Sequence, residues 1–245
     1  MDERTCLVTG ASRGIGRGIA ERLGETGANV VVNYRSSVEE AEDAVAAIEA
    51  AGGDAIAAQA DVTVRREVDD MREEVLDAFG PIDVLVNNAG ITQDTKFEEM
   101  TREEWDRVID VHLGGAFNCT QTFFEDVKAA EEGRLICISS VVGQQGNFGQ
   151  ANYAAAKSGM FGFTRTLALE LAPYESTANC VAPGFTETSM LETVPDRVRD
   201  VILEDIPLNR FGSVDDVGNV VRFLASEDSS YITGEVLDVN GGMDL

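Results

Sequence analysis

Short apolar runs alternate along this chain with longer stretches whose apolar residues recur every three or four positions. The runs Thr5–Thr9, Asn29–Asn33, Asp54–Gln59, Val84–Asn87, Arg134–Ser139, Thr177–Val181 and Val236–Val239 read as strands. The amphipathic stretches predict helices over Ile15–Thr26, Val38–Ala51, Arg65–Phe79, Arg102–Lys128, Asn152–Leu171 and Val214–Ala225. No linker of low complexity and no internal repeat interrupts the pattern, so residues 1–245 are expected to form a single domain. The stretch from about 184 to 212 lacks a strand and carries Pro195.

Strand–helix alternation of this kind predicts an α/β fold. The expected architecture is a single Rossmann-type doubly wound parallel sheet of about seven strands with helices on both faces. Ligands of such sheets bind outside the carboxyl ends of the strands. The strandless stretch near 184–212 is therefore read as a flap over that edge.

Charge changes the picture most. The chain has 44 acidic and 19 basic residues, a formal net charge of −25, and only three lysines, Lys96, Lys128 and Lys157. Such self-repulsion destabilises a compact state in dilute salt, and halophilic proteins use it. At ~1 M salt the Debye length falls to ~3 Å and most of the repulsion is removed. A salt-rich cytoplasm is the expectation, and nucleic acid and anionic membranes are poor partners for such a surface. No apolar run approaches the ~18 residues of a membrane span. Strand-like sequence begins at Thr5, which leaves no room for a leader, so a cytoplasmic location is expected. Cys6, Cys119, Cys137 and Cys180 show no metal spacing and read as free thiols, mostly buried. With one histidine, His112, neither a His-based triad nor a zinc site is expected.

Chemistry concentrates in three places. The loop Thr9-Gly10-Ala11-Ser12-Arg13-Gly14-Ile15-Gly16 follows the first strand and opens a helix. Backbone N–H groups at a helix start bind phosphate, and glycines let it approach. The spacing Gly-x-x-x-Gly-x-Gly departs from the Gly-x-Gly-x-x-Gly fingerprint. The second strand ends in Val32-Asn33-Tyr34-Arg35 with no acid for a ribose hydroxyl. Arg13 and Arg35 could pair a 2′-phosphate there, pointing to NADP(H). Third, Tyr153 and Lys157 stand four apart in an Ala-rich run and would share one helix face. Ser140 precedes the tyrosine by thirteen residues. A lysine beside a phenol is expected to lower a pKa that starts near ~10, and a serine hydroxyl can hold a carbonyl oxygen.

Five motifs now occur in order: Thr9-Gly10-x-x-x-Gly14-x-Gly16, Asn87-Asn88-Ala89-Gly90, Ser140, Tyr153-x-x-x-Lys157 and Pro183-Gly184. Together they resemble the short-chain dehydrogenases/reductases over essentially the whole chain. Within that family the run Ser140–Tyr153 is similar to β-ketoacyl reductases, both acetoacetyl-CoA reductases and 3-oxoacyl-ACP reductases. The resemblance implies that Tyr153 protonates the carbonyl oxygen, Ser140 hydrogen-bonds it, and Lys157 tunes the tyrosine and holds the nicotinamide ribose. It further implies that Gly10, Ser12, Arg13, Gly14, Ile15, Gly16 and Arg35 hold the cofactor. Asp61 and Val62 would flank the adenine, and Asn88, Ala89 and Gly90 would line the cofactor. Pro183, Gly184, Thr186 and Thr188 would meet the nicotinamide end. Asn87 and Pro183 could equally serve the fold alone. Gln144, Asn147, Phe148 and Gln150 are candidates for the substrate wall, although a loop aromatic can simply pack. His112 stands where the family usually has an asparagine that anchors a proton relay. It could substitute there, or be a core histidine held by backbone.

The expected reaction is NADPH-dependent reduction of a 3-oxoacyl thioester to the (R)-3-hydroxyacyl thioester. Acetoacetyl-CoA is the first substrate considered, as in polyhydroxyalkanoate biosynthesis, with Phe148 favouring it. The alternatives are a 3-oxoacyl-ACP reductase of fatty acid synthesis and an NADP-linked sugar or alcohol dehydrogenase. A nucleotide-sensing scaffold on the same fold should have lost Tyr153 or Lys157, and both are present. The family also implies a homotetramer built on the Arg102–Lys128 and Asn152–Leu171 helices and the last strand. The charge leads to a test: the urea midpoint should rise steeply between dilute and molar KCl, and an unchanged midpoint would refute a salt-adapted surface.

Overall fold

The computed structural model describes residues 4–188, 191 and 194–244. The first three residues, Leu245 and four positions of the expected flap (189, 190, 192 and 193) lie outside the described residues.

The strands are β1 (Thr5–Val8), β2 (Asn29–Tyr34), β3 (Asp54–Gln59), β4 (Val84–Asn87), β5 (Arg134–Ile138), β6 (Thr177–Pro183) and β7 (Val236–Val239). They form one parallel seven-stranded sheet in the order β3-β2-β1-β4-β5-β6-β7. The described helices are α1 (Gly14–Gly24), α2 (Val38–Ala50), α3 (Arg65–Phe79), α4 (Arg102–Ile109), α5 (Gly115–Ala129), α6 (Val142–Gln145), α7 (Ala151–Leu171), α8 (Asp196–Glu204) and α9 (Val214–Ala225).

The apolar strands are apolar because both faces are covered. Alternate side chains of one strand point to opposite faces. Cys6 and Val8 of β1 enter one core with Val30, Val32, Val84 and Val86. That face is closed by Ile19 and Leu23 of α1, Ile48 of α2, and Val217 and Val221 of α9. Leu7, Val31 and Leu85 enter the opposite core, closed by Met71 and Val75 of α3, Phe123 of α5, and Leu171 of α7. The doubly wound arrangement expected from the sequence is therefore the one observed. All four cysteines are buried and free. Among the described residues no helix is long and apolar enough to cross a membrane.

Three elements differ from the expectation. The helix predicted over Arg102–Lys128 is interrupted: a π segment, Asp110–Gly114, separates α4 from α5. Single-turn π segments recur at functional positions, and this one carries His112. Side-chain periodicity survives such a widening almost unchanged, so the pattern alone gives a continuous helix. The expected substrate wall contains the short helix α6, and the flap contains α8. Within the 184–212 stretch, Leu191, Ile206 and Phe211 bury themselves together, with Phe185, Ile202 and Leu203 packed around them.

The order of the strands places the site. Chain connections run outward in opposite directions from β1 and β4, and a crevice opens where they diverge. The Gly10–Gly16 loop follows β1, and Asn88–Gly90 follows β4, so these two segments meet at that crevice.

Candidate active site

A cavity of about 350 Å³ lies at the carboxyl edge of the sheet. Its lining gathers Gly10, Ser12, Arg13, Gly14, Ile15, Gly16, Arg35, Asp61, Val62, Asn88, Ala89, Gly90, Tyr153, Lys157 and Thr188, all expected from the sequence. It also includes His112. Ser140, Pro183, Gly184, Thr186 and the four wall candidates lie outside that lining.

The glycine loop is built by long-range hydrogen bonds. Gly10 and Gly14 have φ of +62° and +57°, conformations that a side chain makes costly. The Gly10 N–H donates to Asn33 Oδ1 at 3.1 Å, and the Asn33 amide donates to the Ala58 and Ala60 carbonyls. Thr9 Oγ1 accepts from the N–H groups of Asn88 and Ala89 at 2.9 and 3.0 Å. The Asn88 amide donates back to the Thr9 and Gly10 carbonyls at 2.8 and 3.2 Å. The freed N–H groups at the start of α1 face the cavity, the chemistry a pyrophosphate needs. Beside them Arg13 and Arg35 are both exposed at the rim, and Arg35 Nη1 lies 4.0 Å from Asp61 Oδ2. Ser36 and Ser37 line the same corner at the start of α2. This set fits a dinucleotide with an additional ribose phosphate. Asn33, Ser36, Ser37 and Thr92 were not singled out from the sequence. The position of Asn33 at a strand end beside a glycine loop was the available signal.

Tyr153 and Lys157 project from the first turns of α7. Lys157 Nζ donates to the Ile138 carbonyl at 2.7 Å, and Ser139 Oγ donates to the Lys157 carbonyl at 2.7 Å. These bonds pin α7 to the end of β5. Burial pulls the Lys157 pKa from 10.5 to about 8. Its ammonium lies 5.6 Å from the Tyr153 ring centroid, a cation–π position.

The phenol behaves differently from the expectation. Burial, aided by the Asp94 charge, raises the Tyr153 pKa above 10.0, against the Ser140 hydrogen bond that lowers it. Lysine lies over the ring, and desolvation decides the direction of the shift. The tyrosine is thus held protonated. Ser140 is positioned by the neighbouring turn: Val141 N–H donates to the Pro183 carbonyl at 2.9 Å. Pro183 and Gly184 thereby tie the end of β6 to the serine, and the Gly184 N–H donates to the Val239 carbonyl at 3.0 Å. Thr188 approaches the glycine loop: a Cβ on Gly14 would lie 3.7 Å from its methyl group. Thr186 hydrogen-bonds the Gly184 carbonyl at 3.2 Å.

His112 is 1% exposed and packs edge-on against Tyr153, with ring centroids 5.3 Å apart at 84°. Its Nε2 is 2.8 Å from the Ile91 carbonyl oxygen and 3.2 Å from the Ile91 nitrogen. The shorter contact assigns the tautomer that donates to the carbonyl. Desolvation, with the Lys157 charge second, drives the His112 pKa from 6.5 to about 3, so the ring is neutral. A side chain at Gly90 would strike the ring at 2.3 Å. Asn87 donates to Thr120 Oγ1 at 2.9 Å, which ties β4 to α5.

The wall residues diverge. Gln144 donates to Asp238 Oδ1 at 2.8 Å, which turns it toward β7. Asn147 donates to Gln150 Oε1 at 2.9 Å, and Phe148 is 83% exposed. Gln150 is 8% exposed and donates to both Asp94 oxygens at 2.9 Å.

Comparison with known proteins adds independent findings. The family described as enoyl-(acyl carrier protein) reductase matches residues 10–244. The 3-oxoacyl-[acyl-carrier-protein] reductase FabG of Staphylococcus epidermidis strain ATCC 35984 is 50% identical over 240 residues, 98% of each chain. FabG of Staphylococcus aureus strain Mu50 is also 50% identical over 240 residues, again 98% of each chain. A 3-oxoacyl-[acyl-carrier-protein] reductase of Synechocystis sp. strain PCC 6803 is 49% identical over 244 residues, 99% of this chain and 98% of its own.

The buried lysine carries a cost that can be measured. Because its folded pKa lies below 10.5, the unfolded chain binds the extra proton between about pH 8 and 10.5. The cost to the fold is complete below pH 8 and fades as pH rises toward 10.5. Lys157→Met is expected to be more stable than the parent at pH 7 by about 1–3 kcal/mol, with the gain shrinking above pH 8. Urea unfolding across that pH range reads this directly.

Proposed function

Given that the chain belongs to the short-chain dehydrogenase/reductase family and is an NADP-dependent oxidoreductase, we propose that it reduces the 3-oxo group of an acyl thioester carried on acyl carrier protein. The observation that carries this reading is the Ser140–Tyr153–Lys157 set, its lysine buried, beside a dinucleotide cavity, in a chain matched end to end by 3-oxoacyl-ACP reductases.

When bound, NADPH supplies a hydride to the β-carbon. The chain's own residues manage the charge that develops on the carbonyl oxygen. Tyr153 gives its proton to that oxygen, and Ser140 donates a second hydrogen bond to it. These donors strengthen as negative charge grows, so they stabilise the transition state more than the ground state. Lys157, desolvated over the tyrosine ring, holds positive charge where phenolate forms. Arg13 and Arg35 would pair the 2′-phosphate, bidentate geometry favouring guanidinium over ammonium.

The acetoacetyl-CoA preference drawn from Phe148 gives way here. The relatives are carrier-protein reductases by name, and Phe148 touches nothing that would commit it to CoA. A second reading follows from the matched family's description as an enoyl reductase. Two hydroxyl donors on one oxygen favour the carbonyl substrate.

NADPH oxidation with 3-oxoacyl-ACP, acetoacetyl-CoA and an enoyl thioester decides, with glucose and NADP⁺ as the opposed pair. Both 3-oxo substrates should turn over, the carrier-bound one with kcat/KM about tenfold higher. Tyr153→Phe should lower kcat by about 10²–10⁴ while NADPH still binds. Turnover of the enoyl thioester alone would overturn the reading.

The apolar surface supports a homotetramer. Phe117 of α5 and Leu169 of α7 are 50% and 78% exposed, and β7 stands at the sheet edge. Sizing chromatography in molar KCl is expected to show four copies, and a monomer there would refute this arrangement.

A further inference from the structure

We propose that Asp94 and Gln150 form a positioning pair for Tyr153: the Asp94 carboxylate, held by the Gln150 amide, braces the start of α7 and so fixes where the phenol stands. This rests on the reading of Tyr153 as proton donor.

The brace is visible in hydrogen bonds. Gln150 stands just before α7, and its carbonyl accepts from the Ala154 N–H at 2.8 Å, which begins the helix. Its buried side-chain amide donates to both Asp94 oxygens at 2.9 Å, while its amide oxygen accepts from Asn147. On one side, the Thr95 N–H donates to the Gly149 carbonyl at 2.8 Å. On the other, fully buried Asn152 donates to the Gln93 carbonyl at 3.1 Å, and its Oδ1 accepts from the Tyr153 N–H at 2.8 Å. Residues 93–95 therefore grip residues 149–152 on both sides of the carboxylate. Tyr153 is the next residue along.

The Asp94 charge supports the same assignment. Tyr153 is faced by Lys157 from its own helix, by neutral His112 from the π segment, by Ser140 from the turn after β5, and by Asp94 from the loop after β4. Asp94 raises the phenol's affinity for its proton, in the same direction as burial. Asp94 is exposed, so salt screens its charge while leaving its hydrogen bonds in place. The two roles can thus be told apart.

The full chain is compared with Asp94→Asn and Asp94→Ala. Asparagine still accepts from Gln150 but is uncharged. In dilute salt, Asp94→Asn should hold kcat at neutral pH within about threefold while the alkaline limb of the kcat profile moves to lower pH. In molar KCl the two profiles should converge. Asp94→Ala should lose kcat about tenfold or more at neutral pH in either salt, from a misplaced phenol, with NADPH affinity retained. Ultraviolet titration of the phenolate, with Tyr153→Phe as the subtraction, repeats the charge test without any substrate. It therefore stands even if no thioester is turned over. Coincident titrations for the parent and Asp94→Asn in dilute salt overturn the charge role, and full kcat in Asp94→Ala overturns the brace.

Discussion

Everything at this site hangs on one latch between two loops. Thr9 and Asn88 exchange hydrogen bonds across the crevice where β1 and β4 part. Without it, the ends of these strands would diverge with unpaired backbone groups, a costly condition for buried N–H and C=O. With it, the glycine turn after β1 and the Asn88–Gly90 segment after β4 become one rigid edge of the cavity. Asn33 adds a third anchor from β2 by accepting from Gly10. The sheet order makes the latch possible, because only at the point where winding reverses do two such loops lie side by side.

Helix α7 is held to that edge at a cost. A lysine that is 4% exposed has given up water for a single backbone carbonyl. Its neighbours do not restore what hydration supplied, which is why its proton is loosely held. The tyrosine beside it shows the mirror effect, since burial penalises phenolate as it penalises ammonium. One dry pocket thus moves the tyrosine up and the lysine down, drawing apart two groups whose ordinary pKa values, 10.0 and 10.5, nearly coincide. His112 is dried by the same pocket and stays neutral, bound to Ile91 and packed edge-on against the tyrosine. Its contacts are those of a ring that packs and pins, in a position the sequence left open between relay and core.

The surface follows a different logic from the site. A net charge of −25 sets how the molecule answers to salt, but it does not select the fold. Against that background, Arg13 and Arg35 at the cavity rim are informative because positive charge is scarce elsewhere. The same reasoning makes an exposed carboxylate such as Asp94 unremarkable by composition. Its role shows only through what it touches.

Residue order alone determined much of this. Alternation and helical periodicity are properties of neighbours two to four positions apart, so strands, helices and the doubly wound fold were legible. The glycine loop, the Asn-Asn-Ala-Gly turn and the Tyr-x-x-x-Lys spacing were legible for the same reason. Tertiary structure decided the rest, because the deciding contacts join distant positions. The Asp94–Gln150 bond spans 56 residues, and the Gln144–Asp238 bond that turns a wall candidate away spans 94. The π segment hides inside a helical pattern that it barely disturbs. The direction of the Tyr153 shift depends on how completely the pocket excludes water, and desolvation is set by the packing of many elements together, which no local run of residues encodes.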